Sequence, residues 1–295
     1  MASVQDIQRR VRSVRNTRKI TKAMELVSAA KLRRAQVRIE AMRPFADRML
    51  ELMAQTARSS SSLRGLPLLE RRDPEKVAIL ALTGDRGLAG AFNAQVLRRG
   101  VQIARELDGE GKTVSWLVTG KKGRSTLNFS RRAIVGEWVG FTDRPAYSDA
   151  QAVAHRLAEL YEAHEVDRVV LIYNAYESPL VQRVTVRDLL PIPEDLLEQG
   201  EAEEHSALRG DTIFEPEPEE ILARLLPTYL ETELYRALLE SAASEHGARM
   251  TSMRNASKNA GELIDRLTLA MNRARQAEIT QEILEVVAGA DALTA

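Results

Sequence analysis

An α/β fold is predicted, in which a long antiparallel coiled coil built from the two chain ends accompanies a central, mainly parallel, Rossmann-like α/β domain. Three observations predict it. Both ends carry apolar residues at the alternating three- and four-residue step of a coiled-coil seam. The middle alternates short β-branched runs with helix-like stretches, the pattern of βαβ units. The chain of 295 residues is 44% hydrophobic and 28% charged but only 4% aromatic, a balance that long charged helices explain better than one compact globule does.

The first element is a helix over residues 1–60. From Val4 its register runs through Ile7, Val11 and Val14, crosses a polar middle at Arg18, Thr21, Glu25 and Ser28, and returns to Leu32, Ala35, Ile39, Met42, Ala46, Met49 and Met53. Ile20, Met24 and Val27 form a second apolar stripe at another angle, so this helix is expected to have two partners. Pro44 lies inside the pattern and cannot donate its backbone hydrogen bond, which predicts a kink near residues 42–44. The polar run "RSSSSLRG" should fray the end.

The central α/β domain is expected over residues 75–190. Strands are predicted at 77–83, 113–119, 132–139 and 167–174, helices at 91–107 and 148–163, and "LVQRVTVRDLLP" reads as a final antiparallel edge strand. Residues 191–215 form an acidic linker punctuated by proline. A last helix should run from about 216 to 288, with the same alternation reading Ala243, His246, Met250, Met253, Ser257, Ala260, Ile264, Leu267, Met271 and Ala274. Such a helix is on the order of 100 Å long. Small seam residues Ala35, Ser257 and Ala260 let it pack closely and antiparallel against the first helix, beyond which it should project by roughly 10 to 20 residues, or about 15 to 30 Å. The projecting tip, "EILEVVAGADALTA", needs a sleeve from another protein.

Charge is balanced overall and segregated locally. Residues 9–38 hold eleven Lys or Arg against Glu25 alone, and residues 194–220 hold eleven Asp or Glu against Arg209 alone, which predicts two oppositely charged surfaces. The chain has no cysteine, which excludes disulfides, zinc-thiolate sites and thiol catalysis. The start "MASVQDIQRR" has no apolar signal core and no run reaches about 18 apolar residues, so membrane association is expected only through partners.

The turn "TGDRGLAGAFN" follows the apolar run "VAILAL" at the place where an α/β protein often cradles a phosphate. Its glycines fall at 84, 87 and 90, whereas dinucleotide binding uses G-x-G-x-x-G and a P-loop uses G-x-x-x-x-G-K-S/T. "VTGKKGRS" misses the P-loop as well, with Ser115 and Lys122 at two of its required positions. The glycines therefore read as shaping a strand-to-helix turn, whose helix N-terminus can meet an anion or an acidic side chain. Asp85 and Arg86, with no nucleophile or second acid nearby, read as a contact or capping pair. His155, His164, His205 and His246 show no metal-ligand spacing. Neither a catalytic residue, a cofactor site nor a metal site is predicted. The basic helix, with Arg9, Arg10, Arg12, Arg15, Arg18, Lys19 and Lys22, is open to three readings: a solvated face, a protein contact or a phosphate-binding face. The apolar heptads between the cations and the overhanging last helix favour the protein contact.

The segments "IQRRVRSVRNTRKITKAMELVSAAKLRRAQ", "TGDRGLAGAFN" and "ARMTSMRNASKNAGELIDRLTLAMNRARQAEITQEILEVVAGADAL" resemble the γ subunit family of F-type ATP synthases, in the family's order. The resemblance implies a non-catalytic rotor whose coiled-coil shaft turns inside a ring of α and β subunits, coupling proton-driven rotation of the membrane c-ring to ATP synthesis on β. It implies a foot that binds the ε subunit and the c-ring, no nucleic acid, no direct membrane insertion, and a peripheral place on the cytoplasmic face of the bacterial cell membrane. Contacts with the α/β ring are implied at Lys19, Lys22 and Met24, at Asp85, Arg86 and Ala89, and at a polar catch of Arg275, Gln276 and Thr280. An apolar tip is implied at Val286, Val287, Ala288 and Ala290. The sequence departs from the family at Ala89, a position often held by cysteine, and at Ala91, which replaces a glycine. The cysteine-bearing insertion of chloroplast relatives is absent. Two other classes compete, a nucleotide-using α/β enzyme and a nucleic-acid- or protein-binding coiled-coil adaptor.

Overall fold

The computed structural model describes residues 3–60, 65–193 and 215–294, with side chains described as far as Gly289. Most of the acidic linker expected at 191–215 and residues 61–64 of the run expected to fray lie outside the described residues. The elements run α1 (Val4–Ser59), a 3₁₀ turn (Pro67–Leu69), β1 (Lys76–Leu82), α2 (Phe92–Gly109), β2 (Thr113–Thr119), α3 (Lys121–Phe129), β3 (Ile134–Trp138), α4 (Tyr147–Glu162), β4 (Arg168–Tyr176), β5 (Gln182–Leu190) and α5 (Pro218–Thr294). α1 runs as one helix through Pro44. Two compact units result, one of residues 29–249 and one of residues 1–28 with 250–295. They divide the chain differently from the sequence reading, because both long helices contribute to both units.

In the larger unit the sheet order is β3-β2-β1-β4-β5. β1 pairs in parallel with β2 and β4, and β2 with β3. β5 runs antiparallel to β4 at the edge. The central strand "KVAILAL" is buried from Val77 to Leu82, because both faces of a parallel sheet are covered by helices. Val77, Ile79 and Ala81 face a core with Val96, Leu97 and Ala104 of α2 and Leu127 of α3. Ala78, Leu80 and Leu82 face the opposite core, with Met49 and Met53 of α1, Val153 and Leu157 of α4, and Leu230 and Leu234 of α5. The period-2 alternation of one strand thus separates two helical layers. Asp149 starts α4 by accepting the Ala146 N–H at 2.7 Å, half of a capping box.

In the smaller unit the two helix segments pack antiparallel. Arg18 lies beside Gly261, and Arg254 Nε donates to Glu25 Oε1 at 3.1 Å, so seven positions up one helix match seven down the other. Along α1 the seam positions Val11, Thr21, Glu25 and Ser28 are buried, and along α5 so are Met250, Met253, Ala260 and Ile264. The polar middle of the seam is satisfied internally. Glu25 accepts from Lys22 Nζ at 3.0 Å as well as from Arg254. The Lys22 hydrogen bond leads, and together with Arg254 it outweighs burial to hold the Glu25 carboxyl below its ordinary value.

Candidate functional site

The turn of residues 83–93 closes on itself and on its neighbours. Gly84 N–H donates to Asn93 Oδ1 at 2.8 Å, and Asp85 N–H donates to Thr142 Oγ1 at 2.8 Å. On the facing α3, Lys121 N–H donates to Asp85 Oδ1 at 3.0 Å, Gly123 N–H to Thr83 Oγ1 at 3.0 Å, and Lys122 N–H to the Gly84 carbonyl at 3.2 Å. The Asp85 Oδ2 atom also accepts from Gly140 N–H at 2.8 Å and from the Thr142 hydroxyl at 3.0 Å. Burial opposes ionisation of this carboxyl, but the Gly140 and Lys121 amides and Thr142 outweigh it and hold the group below its ordinary value. The Gly84 and Asp85 amides and the first three amides of α3 are thus engaged by the protein itself. Gly120 sits at φ +88, and a Cβ there would lie 2.2 Å from the Thr83 carbonyl oxygen, so only glycine allows α3 to approach β1 this closely.

In a doubly wound sheet a ligand binds beyond the carboxyl ends of the strands where the strand order reverses, here between β1 and β4. That crevice holds α5. A Cβ on Gly84 would lie 2.7 Å from the Glu245 carboxylate. Arg249 pairs with Glu245 and donates from Nε to the Gly87 carbonyl at 3.2 Å. Ala248 packs with Ala89 and Phe92. Burial pushes the Glu245 carboxyl up, against the opposing effect of Arg249. The glycine turn therefore meets an acidic side chain, as its helix-leading position allowed, and that side chain belongs to the same protein.

One residue further along α5, His246 Nε2 lies 3.1 Å from the Asp143 carbonyl, and the Asp143 carboxylate pairs with Lys31. Burial pushes the imidazole down to about 4, against the Asp143 carbonyl and carboxylate. Lys31, Arg34, Arg38, Arg144 and His246 line a cleft of about 540 Å³. The basic run of α1 was visible in the sequence, whereas its meeting with Arg144 and His246 was not.

The expected contact residues separate into three groups. Ala89 is 2% exposed, and Asp85 is half-buried and tied to Lys121, Gly140 and Thr142. Within this chain Ala89 is packed away, and Asp85 braces the loop and takes the first amide of α3, as a capping residue does. Arg86 is exposed. On α1, Lys19 is exposed, Lys22 is held by Glu25, and Met24 is half-buried between Ile20 and Val27, which are 60% and 56% exposed. The second apolar stripe is uncovered. Arg275, Gln276 and Thr280 are exposed, and the Thr280 hydroxyl donates to the Gln276 carbonyl of its own helix at 2.9 Å. Val286 and Val287 are 72% and 51% exposed and Ala288 is exposed. The Ala290 side chain lies outside the described residues.

The register of the antiparallel pair, continued from Arg18 and Gly261, sets Val4 opposite Arg275. Beyond Ala274, every residue to Gly289 is exposed, including Ile279, Ile283 and Leu284. The unpaired end, residues 276–294, amounts to about 28 Å of helix. Among the described residues, no group of three His, Cys, Asp or Glu could hold a metal ion, and no helix is long and apolar enough to cross a membrane.

A family model described as ATP synthase matches residues 3–293. The ATP synthase gamma chain of Rubrobacter xylanophilus is 47% identical over 295 residues, covering 100% of both chains. Among solved structures, a chain of the central stalk and c-ring assembly of the Tetrahymena thermophila mitochondrial ATP synthase superposes with a TM-score of 0.58 at 28% identity, over 81% of this chain and 99% of that one. A chain from the Euglena gracilis mitochondrial ATP synthase shares the fold with a TM-score of 0.69 at 20% identity, over 98% of this chain and 94% of that one.

Proposed function

The chain belongs to the family of ATP synthase gamma chains; it is the central-stalk rotor subunit of that complex, with the catalytic sites on other subunits, and from this premise we propose how its residues serve rotation. Its partners are the α and β subunits around the coiled coil, and the ε subunit and c-ring at the foot. The complex is membrane-bound, and for this chain we assign the cytoplasmic face of a bacterial cell membrane, reached through the c-ring.

The observation that carries the proposal is the unpaired end of α5. A helix with Ile279, Ile283, Leu284, Val286 and Val287 in water is unfavourable alone, since each apolar side chain gains ~1.5 to 3 kcal/mol on full burial. An apolar sleeve at the top of the α/β ring supplies that burial. Between Glu285 and Asp291 the uncharged Val286, Val287 and Ala288 offer the sleeve apolar contact with no preferred angle, so this stretch can turn as a bearing. Where polar residues return, Arg275 and Gln276 form the catch against a loop of one β subunit, with Thr280 beside them. Lys19, the open stripe of Ile20, Met24 and Val27, and Arg86 face the acidic levers of β. Proton flow turns the ring and foot, the asymmetric shaft turns with them, and each β subunit is driven in sequence through binding, synthesis and release.

Turnover of the assembled complex tests the catch. Arg275→Leu removes a forked cation, and losing one charged hydrogen bond of ~1.5 to 3 kcal/mol in the limiting step slows turnover roughly tenfold or more. Thr280→Val should do less, because its hydroxyl proton is already donated to the Gln276 carbonyl. Both variants should assemble. Unchanged ATP synthesis and hydrolysis in Arg275→Leu would return this region to an ordinary solvated face.

A further inference from the structure

Residues 241–249 of α5 are buried without exception, and six of the nine are Ser, Ala or Gly. Such a segment is a nearly smooth rod held inside the larger unit. Apolar contact around it is non-directional and resists rotation about the helix axis only weakly. Three long side chains break the smoothness, Glu245, His246 and Arg249, and two of them lie one turn apart on the face turned to the glycine loop. The Glu245 and Arg249 side chains are 2% and 7% exposed. The Arg249 guanidinium is bonded at once to Glu245 and to the Gly87 carbonyl, and the Glu245 carboxylate is seated where Gly84 leaves no Cβ. Asp85 in turn pins that loop to the start of α3 and to Gly140 and Thr142.

We infer that Glu245 and Arg249 are the key that fixes α5 against rotation within the α/β domain, acting as positioning residues through which torque passes between foot and shaft. The inference rests on the rotor reading and extends it to a joint inside the chain itself. The bond from Arg249 Nε to the Gly87 carbonyl crosses from α5 to the loop, with Glu245 of the same helix steadying the guanidinium; it is directional and nearly free of water, so it resists twist where small apolar side chains slide. With the key removed, residues 241–249 yield more readily to twist, although Leu230 and Leu234 still pack in the core and His246 still meets Asp143, and ATP is hydrolysed with less matching movement of the foot.

The test uses the complete complex in sealed proteoliposomes, with ATP hydrolysis and ATP-driven proton uptake measured on one preparation. The readout is protons moved per ATP, which a loss of assembled complex alone does not change. Arg249→Leu should lower that ratio clearly below the wild-type value. Arg249→Lys, which keeps the charge and loses the fork, should fall between it and the wild type. Gly84→Ala leaves both charged residues in place and displaces the carboxylate, and should also lower the ratio. A wild-type complex unable to couple at all would overturn the rotor reading. A coupled wild type with Arg249→Leu and Gly84→Ala at the same ratio would overturn the joint alone. Should Arg249→Leu fail to assemble, Arg249→Lys and Gly84→Ala decide by the same ratio, and failure of all three to assemble would make the pair a requirement of folding and overturn the joint.

Discussion

His246 is 1% exposed and lies against the Asp143 carbonyl, so protonating it places a charge where water cannot reach. Burial therefore takes its pKa from 6.5 to about 4. Between those values the unfolded chain binds a proton that the folded chain excludes, so stability is complete above pH 6.5 and falls as pH drops towards 4, by at most about 3 kcal/mol. Glu245 works in the opposite sense above its ordinary 4.5, because its folded pKa is raised. Asp143, held below 3.8, enters only at lower pH. Thermal unfolding of the isolated chain at pH 7 and pH 5 separates these contributions. The wild type should lose more stability than His246→Gln, whose amide can reach the same carbonyl but does not titrate. Equal losses in the two proteins would show that His246 is protonated without cost. None of this chemistry was legible in the sequence, where His246 reads as one more seam position and Glu245 and Arg249, four residues apart, belong to no motif. The local pattern cannot tell whether such a pair faces water or another part of the chain. Asp85 reads in the sequence as a contact or capping residue, but its particular partners at Lys121, Gly140 and Thr142 are brought to it only by the sheet.

At the scale of elements, the end of α5 is the strongest case for an absent partner. The coiled-coil seam predicts burial wherever two helices meet, and α5 stays half-buried at Leu267, Met271 and Ala274 and is open thereafter. Val287→Asp should leave the isolated chain as stable as the wild type, because the residue is already in water. In the complex the same carboxylate would enter an apolar sleeve unpaired, at a cost of several kcal/mol, so the yield of complex on reconstitution with α and β subunits should fall. Equal yields would argue against a buried tip. The unpaired end was legible because the heptad positions of α1 and α5 can be counted without a structure. The strands were legible for a similar reason: β2 falls on the expected residues, and β1, β3 and β4 within two residues at each end. α3 was missed. Its nine residues bury only Gly123 and Leu127, so "KKGRSTLNF" has no apolar period to detect, and the helix exists because Asp85 and Thr83 take its first amides.

For the whole molecule, the central question is why a doubly wound sheet with a glycine turn should belong to a subunit without a catalytic site. The place where such a fold receives a ligand is filled from within. α5 sets Glu245 at Gly84, Arg249 at Gly87 and Ala248 at Ala89 and Phe92, and the Gly84 and Asp85 amides are bonded to Asn93 and Thr142. A nucleotide entering there must displace a buried ion pair and leave both charges without partners, which costs more than a phosphate contact returns. The isolated chain should therefore neither bind nor hydrolyse ATP. Thermal unfolding offers a sensitive check, because any ligand selective for the folded state adds stability, about 2.7 kcal/mol at 100 times its Kd. The unfolding temperature should be the same with and without millimolar ATP and magnesium. A clear rise, lost in Gly84→Ala, would mean that the crevice opens and that α5 is a displaceable occupant. A constant temperature agrees with a fold in which the nucleotide's usual place is held by the helix that leads to the shaft, so that the α/β domain serves as a grip on its own axle.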